Sequence, residues 1–154
     1  MTPAVNCVKT AKVEFSVHHY DHASGHSSYG LEAAEKLAVP PEQVFKTLVV
    51  RLDTDELIVA ILPVKSMLSM KSVAKIFGAR KAEMADKAEV QRVTGYVLGG
   101  VSPLGQKKSL KTVIDHSAQE YATIYVSGGR RGLEIELNAF DLQTITLALF
   151  APIS

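Results

Sequence analysis

Two strongly apolar stretches, Val44 to Leu52 and Leu57 to Leu62, constrain this chain more than any other feature. They are joined by Asp53-Thr54-Asp55-Glu56, a run of turn-forming residues between two strand-length blocks rich in valine, leucine and isoleucine. That pattern predicts an antiparallel hairpin. The second block is apolar at every position, so both of its faces need cover and the hairpin must lie inside a layered structure. A free-standing β-ribbon is excluded.

The remaining segments supply that cover. Thr2-Pro3 reads as an N-cap followed by proline at the first helical position, opening a helix to about Lys12. Val13 to Tyr20 alternates apolar and polar residues, as a half-buried strand does. Asp21 to Gly30, rich in histidine, serine and glycine, reads as a loop, and Leu31 to Ala38 as a helix ended by Pro40-Pro41. Helices are expected near Lys71 to Phe77 and near Lys87 to Val93, the latter capped by Asp86. Short strands follow at Thr112 to Asp115, Ala122 to Ser127 and Leu133 to Leu137. Asn138 can cap a last short helix, and Ala148 to Ile153 can close the chain as a strand. The order predicts one α+β domain over residues 1–154, with a curved, mixed, barrel-like sheet and flanking helices.

Within the hairpin one residue is out of place. Val44, Lys46, Leu48 and Val50 share a strand face, and three of them are aliphatic. A lysine there snorkels to the rim, pairs with a buried carboxylate, or points into a functional cavity. Desolvation would lower its pKa, whereas a nearby carboxylate or phosphate would raise it. Two glycine segments are the other candidates. Gly99-Gly100-Val101-Ser102-Pro103-Leu104-Gly105 has paired glycines and a stiffening proline, and its backbone N–H groups could hold an anion or a developing oxyanion. Its Gly100–Gly105 spacing is that of a phosphate loop, but Gln106 stands where the lysine is required. Ser127-Gly128-Gly129 leaves a strand and precedes Arg130-Arg131-Gly132, where an arginine could clamp a phosphate or carboxylate, or merely close a hairpin turn.

Other patterns fail. Gly25-His26-Ser27-Ser28-Tyr29-Gly30 places Tyr29 where a nucleophile elbow needs glycine. His18, His22 and His26 are four apart but run from a strand into a loop, so the spacing does not converge them on a metal. Cys7, the only cysteine, sits among Val5, Val8 and Ala11 as a small apolar residue, which excludes an internal disulfide. The formal net charge of +1 excludes non-specific coating of nucleic acid, so any RNA contact must be a local patch such as Lys107, Lys108 and Lys111, or Arg130 and Arg131. The absence of a leader-like or membrane-length apolar segment predicts a cytoplasmic location.

Taken together, Phe45-Lys46-Thr47-Leu48, Glu83-Met84-Ala85-Asp86, the run from Thr94 to Lys108 and Ile124-Tyr125-Val126-Ser127-Gly128-Gly129 occur in one order. In this the chain resembles the YbaK-type Cys-tRNA(Pro) deacylases, relatives of the editing domain inserted in bacterial prolyl-tRNA synthetases. The similarity runs from Met1 nearly to the C-terminus. It implies a mixed-sheet fold with a barrel-like body, no cofactor and no metal. It implies Lys46 as the essential residue, with Tyr20, Thr47, the first loop (Gly99, Gly100, Ser102, Pro103, Gly105) and the second (Ser127, Gly128, Gly129) around the substrate. Arg131 is expected to meet the acceptor end with Lys107 and Lys108. Glu134 stands where relatives often carry aspartate.

The implied reaction is removal of cysteine from tRNA(Pro), and by extension from tRNA(Cys), alongside prolyl-tRNA synthetase. In that family the substrate thiol is thought to attack its own ester, which explains the missing nucleophile. Two alternatives stay open at the level of sequence. One is an alanyl-tRNA(Pro) deacylase that activates water. The other is a non-catalytic module that binds tRNA or a synthetase.

Overall fold

A computed structural model describes residues 1–22 and 29–154. The sequence patterns at His26 and at Gly25 to Ser28 lie outside the described residues. Helix α1 (Pro3–Ala11) starts where Thr2 accepts a hydrogen bond from the Val5 N–H at 3.2 Å, and ends at Lys12 in the left-handed region. Strand β1 (Phe15–His19) and helix α2 (Tyr29–Leu37) follow. The hairpin is β2 (Phe45–Leu52) and β3 (Leu57–Pro63), paired antiparallel with Lys46 opposite Leu62 and Val50 opposite Ile58.

Helix α3 (Met70–Ile76), strand β4 (Ala82–Met84) and helix α4 (Lys87–Thr94) come next. Asp86 caps α4 by accepting from the Glu89 N–H at 2.8 Å, and Gly95 ends it at φ 82°. Strands β5 (Lys111–Asp115), β6 (Ile124–Ser127) and β7 (Leu133–Leu137), helix α5 (Ala139–Thr146) and strand β8 (Leu149–Ala151) complete the chain. Asn138 caps α5 through the Phe140 N–H. Two differences from the sequence expectation are local. Tyr29 and Gly30, expected in the loop, form the start of α2. Strand β4 went unread because a run of three residues is too short for a two-residue period to declare itself.

The strands form two sheets. The smaller has the order β1-β7-β6 and is antiparallel; the larger has the order β4-β2-β3-β5-β8. In the larger one, β2 pairs antiparallel with β3 and β4, while β3–β5 and β5–β8 are parallel, so the expected mixed sheet is present. A parallel bridge between Val44 and Tyr125 joins the two sheets.

One core lies between them. Phe45, Val59, Ile61 and Ile114 from the large sheet meet Ile124, Val126, Ile135 and Leu137 from the small one, sealed by Val8 of α1 and Leu142 of α5. A second cluster on the other face of the large sheet packs Val50, Ile58, Ala60 and Leu62 under Val73 of α3 and Ile153. Strand β3 is therefore covered on both faces, as its uninterrupted apolar sequence requires.

The edge of β2 opposite β3 is divided. β6 meets it at Val44, and β4 pairs with it only from Val50 onward. Among the described residues no strand pairs with that edge from Phe45 to Leu48. The two neighbouring strands diverge around this gap, and the space between them is the candidate site.

Candidate active site

A cavity of about 270 Å³ opens at the divided edge. Its walls are Val44 and the first four residues of β2, Phe45 to Leu48, with Tyr20 beyond β1, Tyr29 and Gly30 of α2, Leu98 and the loop residues Gly99 and Val101 after it, Ser127 of β6 and Glu134 of β7. Because it lies at an edge rather than on a face, Lys46 and Thr47 border it together despite the strand alternation.

Lys46 stands where the apolar face of β2 runs out. Its ammonium donates to the Ser66 carbonyl at 2.7 Å and more loosely to the Val64 carbonyl at 3.4 Å. Partial burial lowers its pKa. Desolvation thus decides the question that sequence left open, and among the described residues Lys46 has no carboxylate partner. Beside it the Thr47 hydroxyl oxygen is buried, with no hydrogen-bond partner among the described residues.

The opposite wall follows from the alternation of Leu133-Glu134-Ile135-Glu136-Leu137. Leu133, Ile135 and Leu137 enter the core, which turns Glu134 and Glu136 to the other face. Glu136 is engaged by His18, at 2.9 Å from its ring nitrogen, and by the Thr123 hydroxyl. Glu134, directly across the ladder from Ser127, is only 6 % exposed, and burial pushes its carboxyl pKa up to about 8. The Tyr20 N–H donates to the Gly132 carbonyl at 3.0 Å. Its phenol pKa is raised by burial first and by the Glu134 charge second. Burial thus disfavours the charged form of both titratable groups, the Lys46 ammonium and the Glu134 carboxylate, on the walls of the cavity.

A wider groove of about 820 Å³ runs between α1 and α5, past Cys7 and Gly105, but no cluster of charged groups converges in it.

The model of one family, the aminoacyl-tRNA editing domain, matches residues 26–145. The chain belongs to this family. The editing domain is 35% identical over 153 residues to EbsC of Enterococcus faecalis, covering 99% of this chain and 93% of that protein, whose name proposes a Cys-tRNA(Pro)/Cys-tRNA(Cys) deacylase. It is 26% identical over 91 residues to the proline–tRNA ligase of Brachyspira hyodysenteriae, covering 59% of this chain and 16% of the ligase. A crystal structure described as a proposed trans-editing enzyme for prolyl-tRNA synthetase superposes with a TM-score of 0.84 at 21% identity, covering 99% of this chain and 94% of that one. That likeness shows the fold.

Of the residues expected at the site, Lys46, Tyr20, Thr47, Gly99, Ser127 and Glu134 border the cavity of the editing domain. The others do not. The glycines were expected to leave room for a ligand, yet most leave room for the protein itself. A Cβ on Gly100 would lie 2.6 Å from the Arg130 Cα, one on Gly105 would lie 2.5 Å from the Pro3 carbonyl oxygen, and one on Gly128 would lie 2.6 Å from the Leu133 side chain. Gly129, at φ 107°, packs against Tyr96 and Thr2.

Their N–H groups are engaged as well. Gly100 donates to Val97, Gly128 to Leu133 and Gly129 to the Ser127 hydroxyl. These three N–H groups are therefore already satisfied within the protein. Ser102 is fully buried and accepts from the Leu104 N–H, while Pro103 borders a separate groove beside Lys108. Arg131, expected to clamp a phosphate, donates through Nε to Glu32 Oε1 at 3.0 Å.

The two glycine loops are therefore packed backbone to backbone, and Gly100→Ala cannot be absorbed by a side-chain movement. It is expected to destabilise the editing domain by about 2 kcal/mol or more, read as a lower urea midpoint with an unchanged slope. A midpoint equal to that of the parent chain would contradict this packing.

Sequence reasoning missed Glu32 and Tyr29. Glu32, in the first turn of α2, is fully buried. Its partner lies 99 residues away, and no local signal points to it.

Proposed function

We propose that this chain is a trans-editing deacylase that removes cysteine from tRNA(Pro), acting as one unit over residues 1–154. The observation that carries the reading is the cavity itself. It is sized for a small aminoacyl group and holds the Lys46 ammonium, an unpaired Thr47 hydroxyl and the buried Glu134 carboxyl on facing walls. Family membership and the name carried by EbsC support the same class of substrate.

The proposed chemistry needs no side-chain nucleophile. The substrate sulfur attacks its own ester carbonyl, forming a carbon–sulfur bond. Collapse breaks the bond to the ribose oxygen, and the thiol proton ends on that departing oxygen. The products are a cyclic thiolactone, later opened by water, and free tRNA. The protein contributes orientation and charge. The Lys46 ammonium and the Thr47 hydroxyl steady the carbonyl oxygen as negative charge grows on it. Glu134 ionises when the cationic α-amino group arrives and holds it. Tyr20 closes the wall beside Glu134. Lys107 and Lys108, which follow the first glycine loop, meet the acceptor end, and prolyl-tRNA synthetase supplies the tRNA in a transient ternary complex.

The experiment is a panel of cysteinyl, seryl and alanyl esters of tRNA(Pro), with and without the synthetase. Cysteine is expected to be released fastest, by about a hundredfold or more over serine, because an oxygen cannot replace the sulfur in ring closure. Brisk seryl or alanyl hydrolysis would instead establish an activated-water deacylase. Binding of tRNA with no turnover on any ester would reduce the chain to a recognition module.

A further inference from the structure

The mouth of the cavity is bounded on one side by Tyr29, the first residue of α2, and several independent contacts fix that ring. The following residue, Gly30, is seated directly on Val64: a Cβ there would lie 2.2 Å from the valine side chain. Val64 is also the residue whose carbonyl accepts from Lys46. On the other side, a Cβ on Gly99 would come within 3.2 Å of the Tyr29 ring, so the first glycine loop rests against it. The third contact is ionic. The Arg131 guanidinium carbon lies 4.7 Å from the centre of the Tyr29 ring, while its Nε donates to Glu32, one turn further along α2.

Arg131 thus grips α2 at two points, a fully buried carboxylate and an aromatic face. Lysine could not hold both, because only a planar guanidinium stacks on a ring while donating in its own plane. The grip ties a fully buried carboxylate of α2 to the turn that follows β6. It sets where one wall of the substrate chamber stands.

We propose that the Glu32–Arg131 pair is a positioning clasp that fixes Tyr29 as the size-selecting wall of the aminoacyl cavity. The clasp excludes amino acids bulkier than cysteine by holding the ring in place. Arg131 and Glu32 are positioning residues, and Tyr29 is the surface that the acyl group meets. The inference rests on the deacylase reading.

The test compares kcat/KM for the cysteinyl ester and for the bulkier ester of β,β-dimethylcysteine, which keeps the thiol, on the same tRNA. Arg131→Lys and Tyr29→Ala are each expected to narrow the preference for cysteine by about tenfold or more, with most of the change in KM for the bulkier ester. Tyr29→Phe should restore the selectivity that Tyr29→Ala loses. A purely structural defect would slow both esters together and leave their ratio unmoved. Glu32 is unsuitable as the primary variant because removing a buried charge partner endangers folding; Tyr29→Ala removes no charge. An active parent chain whose ratio is unchanged in both variants overturns the clasp alone. An inactive parent chain overturns the deacylase reading, and the clasp with it.

Discussion

Lys46→Ala is expected to slow release of cysteine from tRNA(Pro) by about a hundred- to a thousandfold, the usual loss when one preorganised donor to a developing oxyanion is removed. The reasoning begins with what holds the lysine. Its ammonium is anchored by two neutral carbonyls, at 2.7 Å and 3.4 Å, and no carboxylate among the described residues neutralises it. The charge is oriented but uncompensated, and its pKa is already lowered by desolvation. Such a charge interacts strongly with an anion entering the same partly dry space.

The fold should tolerate the change, because Leu48 and Val50 maintain the apolar face of β2 behind it. The melting temperature is therefore expected to stay close to that of the parent chain. Lys46→Met separates charge from packing, since it keeps most of the stem; it should be as slow as alanine. Initial rates with cysteinyl-tRNA(Pro), together with circular dichroism melts, check both statements. Rates within a few-fold of the parent chain would take Lys46 out of the chemistry. The wild-type rate should also fall on the alkaline side at a lower pH than an ordinary lysine would dictate.

Glu134→Gln is expected to make the protein more stable and less active. Burial raises the Glu134 pKa from 4.5 to about 8 in the folded chain. Below pH 4.5 both folded and unfolded forms carry the proton, and the glutamate costs nothing. Between the two pKa values the unfolded chain sheds the proton while the folded chain retains it, so stability declines as pH rises until it levels off above about 8. At pH 7 the accumulated penalty is about 3 kcal/mol. Glutamine keeps the shape without the titration. The variant should match the parent near pH 4 and exceed it by roughly that amount near pH 7, in urea unfolding at the two pH values.

Deacylation by the same variant should weaken mainly through KM, by about tenfold or more, because the α-amino group loses its counter-charge. A parent chain whose stability is flat between pH 5 and 8 would refute the raised pKa. Together these outcomes would identify Glu134 as a group retained for function against its own effect on stability.

Much of this was legible in the sequence because it is written locally. The hairpin, the caps at Thr2, Asp86 and Asn138, and the odd lysine at 46 all declare themselves within a few residues. The alternation in β7 even orders its glutamates to one face. What stayed hidden depends on long-range approach. A glycine in sequence announces only that space is needed, not whose atoms will fill it. At Gly100, Gly105 and Gly128 the occupant is the chain's own backbone or side chain rather than substrate. In the same way Arg131 reads as a free phosphate ligand until α2 brings Glu32 beneath it. Tyr29 was lost because the polar run before it resembles a loop, whereas the helix already includes the two residues ahead of its apolar pattern.

The break in pairing along β2 has a further consequence for the life of the protein in a crowded solution. An unsatisfied strand border ordinarily invites a foreign strand to dock and so begins aggregation. Here the unpaired stretch, Phe45 to Leu48, is bracketed by the Tyr125 bridge and by β4. An intruding polypeptide would find room for too few successive hydrogen bonds to stay, whereas the acyl end of a nucleic acid needs none. The same brackets that keep the chamber open thus keep it from becoming adhesive.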